Sequence, residues 1–328
     1  FLPNLDTTIK EPFASNPAVL DAVEKNHKKL QIAMTKLYPG NLVLSLSSGI
    51  MYHRLVDRIT ALNDVPREPL VPRRLGKNMC VPFGKILRGK VVPNTVTKTL
   101  HTDKVYEPDL NSFTIEPFPY YSPLKSQIET IKSFDRPVIL VDDLVHTANR
   151  LQVLVPQLRE DGIPIKKVVV GVLSGYGRDL MQCLKVPVES IYSMPNLRQW
   201  FVESTLYPFI GGDTVRREEM KVAGLQPSIN MILPYATPRL SGCSREALVE
   251  FSACCIENSR DLFQVLEAEY RKMYAKNLTL SRLSEAVILP LCPDKGSCME
   301  YDENLAASVY LENDLETLWR MKEFLIKG

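Results

Sequence analysis

The 328-residue chain lacks any uninterrupted apolar stretch of the ~18 residues that a transmembrane helix needs. Its first residues show no basic region followed by an apolar segment, so we expect no secretory signal. Opposite charges nearly cancel, with 40 basic and 38 acidic residues. Because a net charge of +2 gives little attraction for nucleic acid, we expect no nucleic acid as partner. Because no transmembrane stretch is present in the sequence, we expect no membrane as partner either.

Residues that bind metal ions are also scarce. Histidine occurs four times, and none is spaced from a cysteine as in a zinc site. The seven cysteines are odd in number and include no Cys-x-x-Cys pair. This is typical of reduced thiols and not of a disulfide framework. We therefore expect a cytoplasmic protein without a metal ion held by protein ligands alone.

Short apolar segments alternate with segments of helical period over most of the first 240 residues. We predict helices at 16–38, 50–62, 123–133, 148–160 and 195–205, a short helix ending near 184, and strands at 42–46, 137–141, 168–173 and 188–192. Ser15 is the expected cap of the first helix. Repeated strand–helix units indicate an α/β fold with a parallel sheet.

Two regions depart from this alternation. The proline-rich segment 64–122 contains a β-branched stretch at 91–105, which predicts a hairpin or a long mobile loop, and 113–115 predicts a short strand. After residue 240 the pattern is helical, with helices expected at 244–274, 279–288 and 304–326. We therefore predict an α/β domain over 1–240 and a helical C-terminal extension over 241–328.

One segment combines an apolar strand, two acids and the start of a helix. Residues 138–141 precede Asp142 and Asp143, and residues 146–150 lead into an apolar helix. In an open α/β sheet, ligands bind beyond the carboxyl ends of the strands. Loop amides and a helix N-terminus favour a phosphate, whereas carboxylates favour hydroxyls or a hydrated Mg²⁺. The pattern therefore predicts a sugar phosphate ligand; the plain alternative is that the acids only end the strand.

This segment resembles the signature of the type I phosphoribosyltransferases, in which an apolar strand, two acids and two apolar residues precede a phosphate loop that contains Thr-Gly. The resemblance implies a Rossmann-like parallel sheet of that type, followed here by the helical extension. It implies that Asp142 and Asp143 contact the ribose of phosphoribosyl pyrophosphate. The implied 5-phosphate loop comprises His146, Thr147, Ala148, Asn149 and Arg150. Thr147 matches the family's Thr, whereas Ala148 stands where the family has Gly.

Two further segments resemble parts of the same family. Ser47, Ser48 and Gly49 follow the predicted strand 42–46 and resemble the short loop that holds pyrophosphate. The basic segment 85–106 resembles the flexible hairpin that closes over the reactants. We therefore expect the three small residues to bind substrate, and the basic segment to act as a lid.

The resemblance implies transfer of ribose 5-phosphate from phosphoribosyl pyrophosphate to a nitrogen base, with Mg²⁺ accompanying the substrate and Asp142 and Asp143 as catalytic residues. Because Ala148, Asn149 and Arg150 depart from the family's loop, an alternative stays open. It is a non-catalytic sensor of phosphoribosyl pyrophosphate or a nucleotide, in a regulatory domain of a larger protein of nucleotide metabolism.

Different classes of protein supply further hypotheses. A Rossmann-like nucleotide or methyl-donor enzyme is disfavoured, because no Gly-x-Gly-x-x-Gly follows the first predicted strand. An interaction module acting through the helical tail is a third hypothesis. A homodimer formed through the tail or the sheet also stays open.

Overall fold

The computed structural model describes residues 8–72, 74–119, 121–217, 222–238, 240, 242–296 and 300–327. Its helices are α1 (Pro17–Leu37), α2 (Ser48–Leu62), α3 (Leu124–Lys132), α4 (Asn149–Glu160), α5 (Gly175–Cys183), α6 (Arg245–Tyr274) and α7 (Ala307–Lys327). Its strands are β1 (Met79–Pro82), β2 (Val96–Thr97), β3 (Thr102–Tyr106), β4 (Phe113–Pro117), β5 (Val138–Val145), β6 (Ile165–Ser174), β7 (Val188–Met194), β8 (Asp213–Val215), β9 (Gln226–Ile229) and β10 (Leu291–Pro293). None of the helices in these described ranges is long and apolar enough to cross a membrane.

The chain packs as two compact units that are discontinuous in sequence. The first contains Phe1–Leu46, Val105–Ser112 and Phe201–Gly328, and the second contains Ser47–Lys104 and Phe113–Trp200. This division differs from the consecutive segments 1–240 and 241–328 that the sequence predicts. The physical reason is that α1 packs along α6, so that the first helix shares a hydrophobic core with the helical tail.

The second unit is built on a parallel sheet with the strand order β2-β1-β5-β6-β7. β1 pairs with β5 from Met79↔Val138 to Pro82↔Val141, and β5 pairs with β6 on its other side. The central strands are buried, as the apolar run 138–141 predicts. Because α3 precedes β5, α4 connects β5 to β6 and α5 connects β6 to β7, the α/β fold predicted from the sequence is confirmed.

Three elements predicted between residues 42 and 205 are wrong. Residues 42–46 are not a strand, and the side chain of Leu42 is 83% exposed. Segment 85–106 is not an open hairpin, because β2 pairs in parallel with β1 and Leu87 and Leu100 are buried. The helix expected at 195–205 is replaced by one 3-10 turn, Glu203–Leu206.

The first unit holds the helical tail. In its sheet, β10 runs parallel to β9, β9 runs antiparallel to β8, and β8 pairs in parallel with the end of β3. α6 and α7 confirm two of the three predicted tail helices, and the third is a 3-10 helix at Leu280–Glu285. Asn16, and not Ser15, caps α1, since its side chain accepts the amides of Ala18 and Val19.

Buried carboxylates of the first unit are hydrogen-bonded to other side chains. Glu203 accepts a hydrogen bond of 2.6 Å from the Tyr207 hydroxyl and lies 2.7 Å from Nδ1 of His27. Asp314 forms an ion pair with Lys295, and both side chains are largely buried. Such groups are costly to bury without a partner, so these contacts are part of what holds this core together.

Candidate functional site

The acid pair lies inside a strand and not behind it. β5 continues through Asp142 and Asp143 to Val145, and Asp142 is opposite Val170 of β6. The neighbouring strand β1 is shorter and ends at Pro82, opposite Val141. Because β1 stops there, the chain after it turns across the end of the sheet beside the two carboxylates.

The loop after β1 is hydrogen-bonded to the acid pair. The carboxylate of Asp143 accepts the amide of Lys85 at 2.6 Å and that of Ile86 at 3.0 Å. A Cβ atom on Gly84 would lie 2.5 Å from Oδ1 of Asp143 and 2.8 Å from Oδ1 of Asp142. Only glycine therefore allows the backbone to pass this close to both carboxylates.

Gly84 and the strand before it are a part of the site that the sequence patterns do not predict, whereas Lys85 begins the basic segment that the sequence predicts to act as a lid. The signal is present as a short apolar run, Met79–Pro82, followed by Gly84 and Lys85. The run has only four residues and lies among prolines, so it does not stand out as a strand of a central sheet. A glycine shortly after such a run is nevertheless typical of a parallel sheet in which the loop after a strand approaches a ligand closely.

Burial changes the proton affinity of both acids. Burial raises the pKa of Asp142 to about 7, while the guanidinium of Arg150 acts in the opposite direction. Nη1 of Arg150 is 4.0 Å from Oδ1 of Asp142. Burial also raises the pKa of Asp143, and the amides of Ile86 and Lys85 oppose the rise. A bound cation or hydroxyl donor would favour the ionised form of the pair.

The predicted phosphate loop has the backbone conformation of a glycine at its centre. Ala148 adopts the left-handed region, with φ 51° and ψ 21°, and directly precedes α4. A non-glycine residue costs roughly 1 kcal/mol there. No side chain caps the first turn of α4, whereas Ser174 caps the first turn of α5. The first amides of α4 are therefore left without a side-chain acceptor.

His146 is fixed to the neighbouring strand. Its Nδ1 lies 2.9 Å from Oγ of Ser174, the residue that ends β6. The same Oγ accepts the amide of Gly177 at 2.9 Å. A Cβ atom on Gly177 would lie 2.3 Å from the carbonyl oxygen of Val145, which explains this glycine by packing. His146 thus links the loop to the start of α5.

Ser47, Ser48 and Gly49 open a helix and do not follow a strand. Ser47 is the cap of α2, and its Oγ accepts the amide of Ile50. The strand on which their prediction depends is absent, so their assignment to pyrophosphate loses its structural basis. The substrate-binding role of these three residues stays a prediction.

A cationic and aromatic cluster lies beside the acid pair. The guanidinium carbon of Arg88 is 5.1 Å from the ring centroid of Phe118, and the rings of His101 and Tyr121 stack at 3.8 Å. Nε and Nη2 of Arg88 are buried and have no hydrogen-bond partner among the described residues. Burial lowers the pKa of Arg88, Arg150 acts in the same direction, and the carboxylate of Asp143 is among the groups that oppose it.

No protein-family model and no curated protein matches the chain. Among solved structures it is similar to a purine phosphoribosyltransferase from Pyrococcus horikoshii, with 11% identity, a TM-score of 0.27, and coverage of 47% of this chain and 91% of that one. The protein TT1426 from Thermus thermophilus has 13% identity, a TM-score of 0.28, and coverage of 47% and 86%. A hypoxanthine phosphoribosyltransferase from Trypanosoma cruzi, complexed with the product IMP, has 17% identity, a TM-score of 0.28, and coverage of 48% and 80%. Because likenesses of this size carry no functional argument, a function has to be inferred from the geometry of the site itself.

Proposed function

We propose that the end of β5 binds phosphoribosyl pyrophosphate and transfers its ribose 5-phosphate to a nitrogen base, with release of pyrophosphate. One observation carries the proposal. Asp142, which is buried, and Asp143, which is partly buried, lie a few residues before the left-handed Ala148 and the start of α4, where no side-chain cap is described. Acceptors for hydroxyl groups and donors for a phosphate therefore lie on one continuous segment, which supports a sugar phosphate as ligand.

Each part of the segment has a role in this proposal. Asp142 and Asp143 accept hydrogen bonds from the ribose hydroxyls. The amides of residues 147–150 donate to the 5-phosphate, and the guanidinium of Arg150 adds positive charge. The contact between His146 and Ser174 fixes the base of the loop, so that these donors are ordered before the substrate binds.

In the reaction, the bond between ribose C1 and a pyrophosphate oxygen breaks while a bond from the base nitrogen to C1 forms. The electron pair leaves with pyrophosphate, and the base nitrogen loses a proton to solvent or to a neighbouring acceptor. Positive charge builds up on the ribose ring as the first bond loosens. Carboxylates fixed beside the ribose stabilise that charge without having to reorganise.

The acid pair also fits a magnesium ion that arrives with the substrate. Mg²⁺ in such sites takes one or two carboxylates together with phosphate oxygens and water. In the described part of the chain, no three His, Cys, Asp or Glu side chains are grouped to hold a metal ion by themselves. Asp142 and Asp143 would thus share the ion with pyrophosphate, whose negative charge it would neutralise. We also propose a cytoplasmic location, which the free thiols of the described cysteines support.

A sensor without catalysis is the second candidate. One observation favours it: Nη1 of Arg150 lies 4.0 Å from Oδ1 of Asp142, and this ion pair offsets the negative charge that would stabilise the transition state. The sensor would bind phosphoribosyl pyrophosphate, or a nucleotide that contains ribose 5-phosphate, without breaking a bond.

Release of pyrophosphate separates the two candidates. The protein is incubated with Mg²⁺, phosphoribosyl pyrophosphate and one base at a time from a panel of purines, pyrimidines and aromatic amines. We expect release with at least one base, and its loss in the Asp142→Asn/Asp143→Asn variant. Asp135→Asn is the matched control, because Asp135 is exposed and precedes the opposite end of β5. Binding of phosphoribosyl pyrophosphate without release, for every base, would instead establish the sensor.

A further inference from the structure

Two donor atoms of Arg88 are buried without a hydrogen-bond partner among the described residues. Nε and Nη2 form one edge of the guanidinium, and this edge can donate two parallel hydrogen bonds to the two oxygens of a planar anion. Both atoms are buried and unpaired among the described residues. Elsewhere in the chain the same edge is filled: Nε and Nη2 of Arg217 both contact Oδ2 of Asp294. A buried donor pair without an acceptor is costly, so a site that keeps one has a reason to do so.

The surroundings of this edge are flat and aromatic. The guanidinium of Arg88 lies over the ring of Phe118, and that ring meets Tyr121 edge-on with centroids 6.0 Å apart. Tyr121 in turn stacks on His101 at 3.8 Å. Burial lowers the pKa of His101, and the charges of Arg88 and Lys98 act in the same direction. At neutral pH, therefore, His101 offers a neutral ring beside the guanidinium.

The charges near Arg88 favour a ligand that brings few negative charges. Arg150 is the cation that lowers the pKa of Arg88, while Asp103 and Asp143 are acids that act against it. Two cations and two acids leave little net charge for a polyphosphate, which would bring several negative charges. A single carboxylate on a flat ring adds only one negative charge, and its ring has the flat shape of the aromatic side chains in this cluster.

We propose that Arg88 binds the carboxylate of an aromatic acceptor, whose ring lies against Phe118, Tyr121 and His101. This inference builds on the proposed function, because it names the chemical class of the base to which ribose 5-phosphate is transferred. The carboxylate occupies the Nε–Nη2 edge of Arg88, and this subsite is separate from the phosphate loop at residues 146–150. A ring nitrogen of the acceptor is then directed to the ribose held by the acid pair.

The test compares carboxylates with their neutral amides. Small pyridine and pyrimidine carboxylates, each paired with its carboxamide, are titrated into the protein with and without Mg²⁺ and phosphoribosyl pyrophosphate. We expect one carboxylate to bind at least about tenfold more tightly than its amide, as a charged bidentate hydrogen bond permits. Arg88→Met should abolish that preference, and Arg88→Lys should restore it only partly. Arg54→Met, which removes an exposed arginine of α2, should leave it unchanged.

A second readout does not depend on any ligand. If the edge of Arg88 is empty in the free protein, Arg88→Met should keep or raise the melting temperature, because it removes an unpaired buried charge. A large drop in melting temperature would mean that Arg88 is structural and would overturn the inference. An equal loss of affinity for Mg²⁺-pyrophosphate, with no carboxylate preferred by the parent, would overturn it too. Absence of binding to phosphoribosyl pyrophosphate, with the carboxylate preference intact, would contradict the proposed function and leave this subsite standing.

Discussion

Buried charges are treated differently in the two compact units. In the first unit Asp314 is paired with Lys295, and Glu203 is bound by Tyr207 and His27. In the second unit, burial raises the pKa of Asp142 at the end of β5, and two donors of the neighbouring Arg88 have no partner among the described residues. Paired charges hold a core together, whereas charges left short of partners are costly to the free protein and are available to a ligand.

The largest expected effect comes from breaking the ion pair between Lys295 and Asp314 in the first unit. Lys295→Met removes the cation from Asp314, which is buried and, among the described residues, would keep its hydrogen bond from Tyr235. We expect a loss of about 3–5 kcal/mol in the free energy of unfolding, because an uncompensated charge stays inside. Urea denaturation followed by circular dichroism measures it. Lys322→Met, on α7 near Trp319, is the control and should change stability by less than about 0.5 kcal/mol. A small effect of Lys295→Met would remove the contrast between the two units.

At the acid pair we expect a change in stability of the opposite sign, because removing the charge of Asp142 should stabilise the protein. A carboxylate whose pKa is raised from 3.8 to about 7 in the folded protein destabilises it progressively as the pH rises from about 4 to about 7. Asp142→Asn removes this penalty. At pH 8 we expect the variant to be about 2–4 kcal/mol more stable than the parent, and at pH 4 nearly equal to it. Thermal unfolding at both pH values provides the comparison, and a variant less stable than the parent at pH 8 would show that Asp142 is structural.

The ionisation of Asp142 should also determine how ligand affinity depends on pH. A ribose hydroxyl or a magnesium ion needs Asp142 without its proton, so affinity should rise with pH through about 7. Between pH 6 and pH 8 we expect the affinity for phosphoribosyl pyrophosphate, at saturating Mg²⁺, to increase about tenfold. Isothermal titration in buffers of different ionisation enthalpy also counts the protons released. Affinity that does not change with pH would mean that the acids do not contact the ligand.

The smallest expected effect concerns the backbone of the phosphate loop. Ala148→Gly replaces a side chain in the left-handed region, so we expect a gain of about 0.5–1 kcal/mol in stability. Affinity for phosphoribosyl pyrophosphate should be kept or improved, since glycine adopts the same conformation and leaves more room. Asn149→Gly is the matched comparison. Because Asn149 is the first residue of α4, glycine at this position should lower the stability of the protein. Equal effects of both changes would contradict the strain assigned to Ala148.

The part of the fold that could be predicted depends on how long each signal is. Residues 168–173 and 244–274 carry long apolar or helical patterns, and both elements form as predicted. β1 has four residues among prolines, so its pattern is too short to recognise. Residues 42–46 have the composition of a buried strand but are largely exposed, because no neighbouring strand in the described sheet pairs with them.

The site was predictable in part for the same reason. Asp142, Asp143 and residues 146–150 lie on one continuous segment, so local sequence brings them together. Gly84 and Arg88 reach the same edge of the sheet only because β1 and β5 are paired. Such pairing is a tertiary contact, which one sequence without its fold does not reveal.

The most direct test of the central claim is calorimetric titration of phosphoribosyl pyrophosphate with Mg²⁺ into three proteins: the parent, Asp135→Asn and Asp142→Asn/Asp143→Asn. We predict micromolar affinity for the parent and for Asp135→Asn, and no measurable binding to the double variant. No binding to the parent, or equal binding to all three, would contradict the claim that the end of β5 is a site for this sugar phosphate.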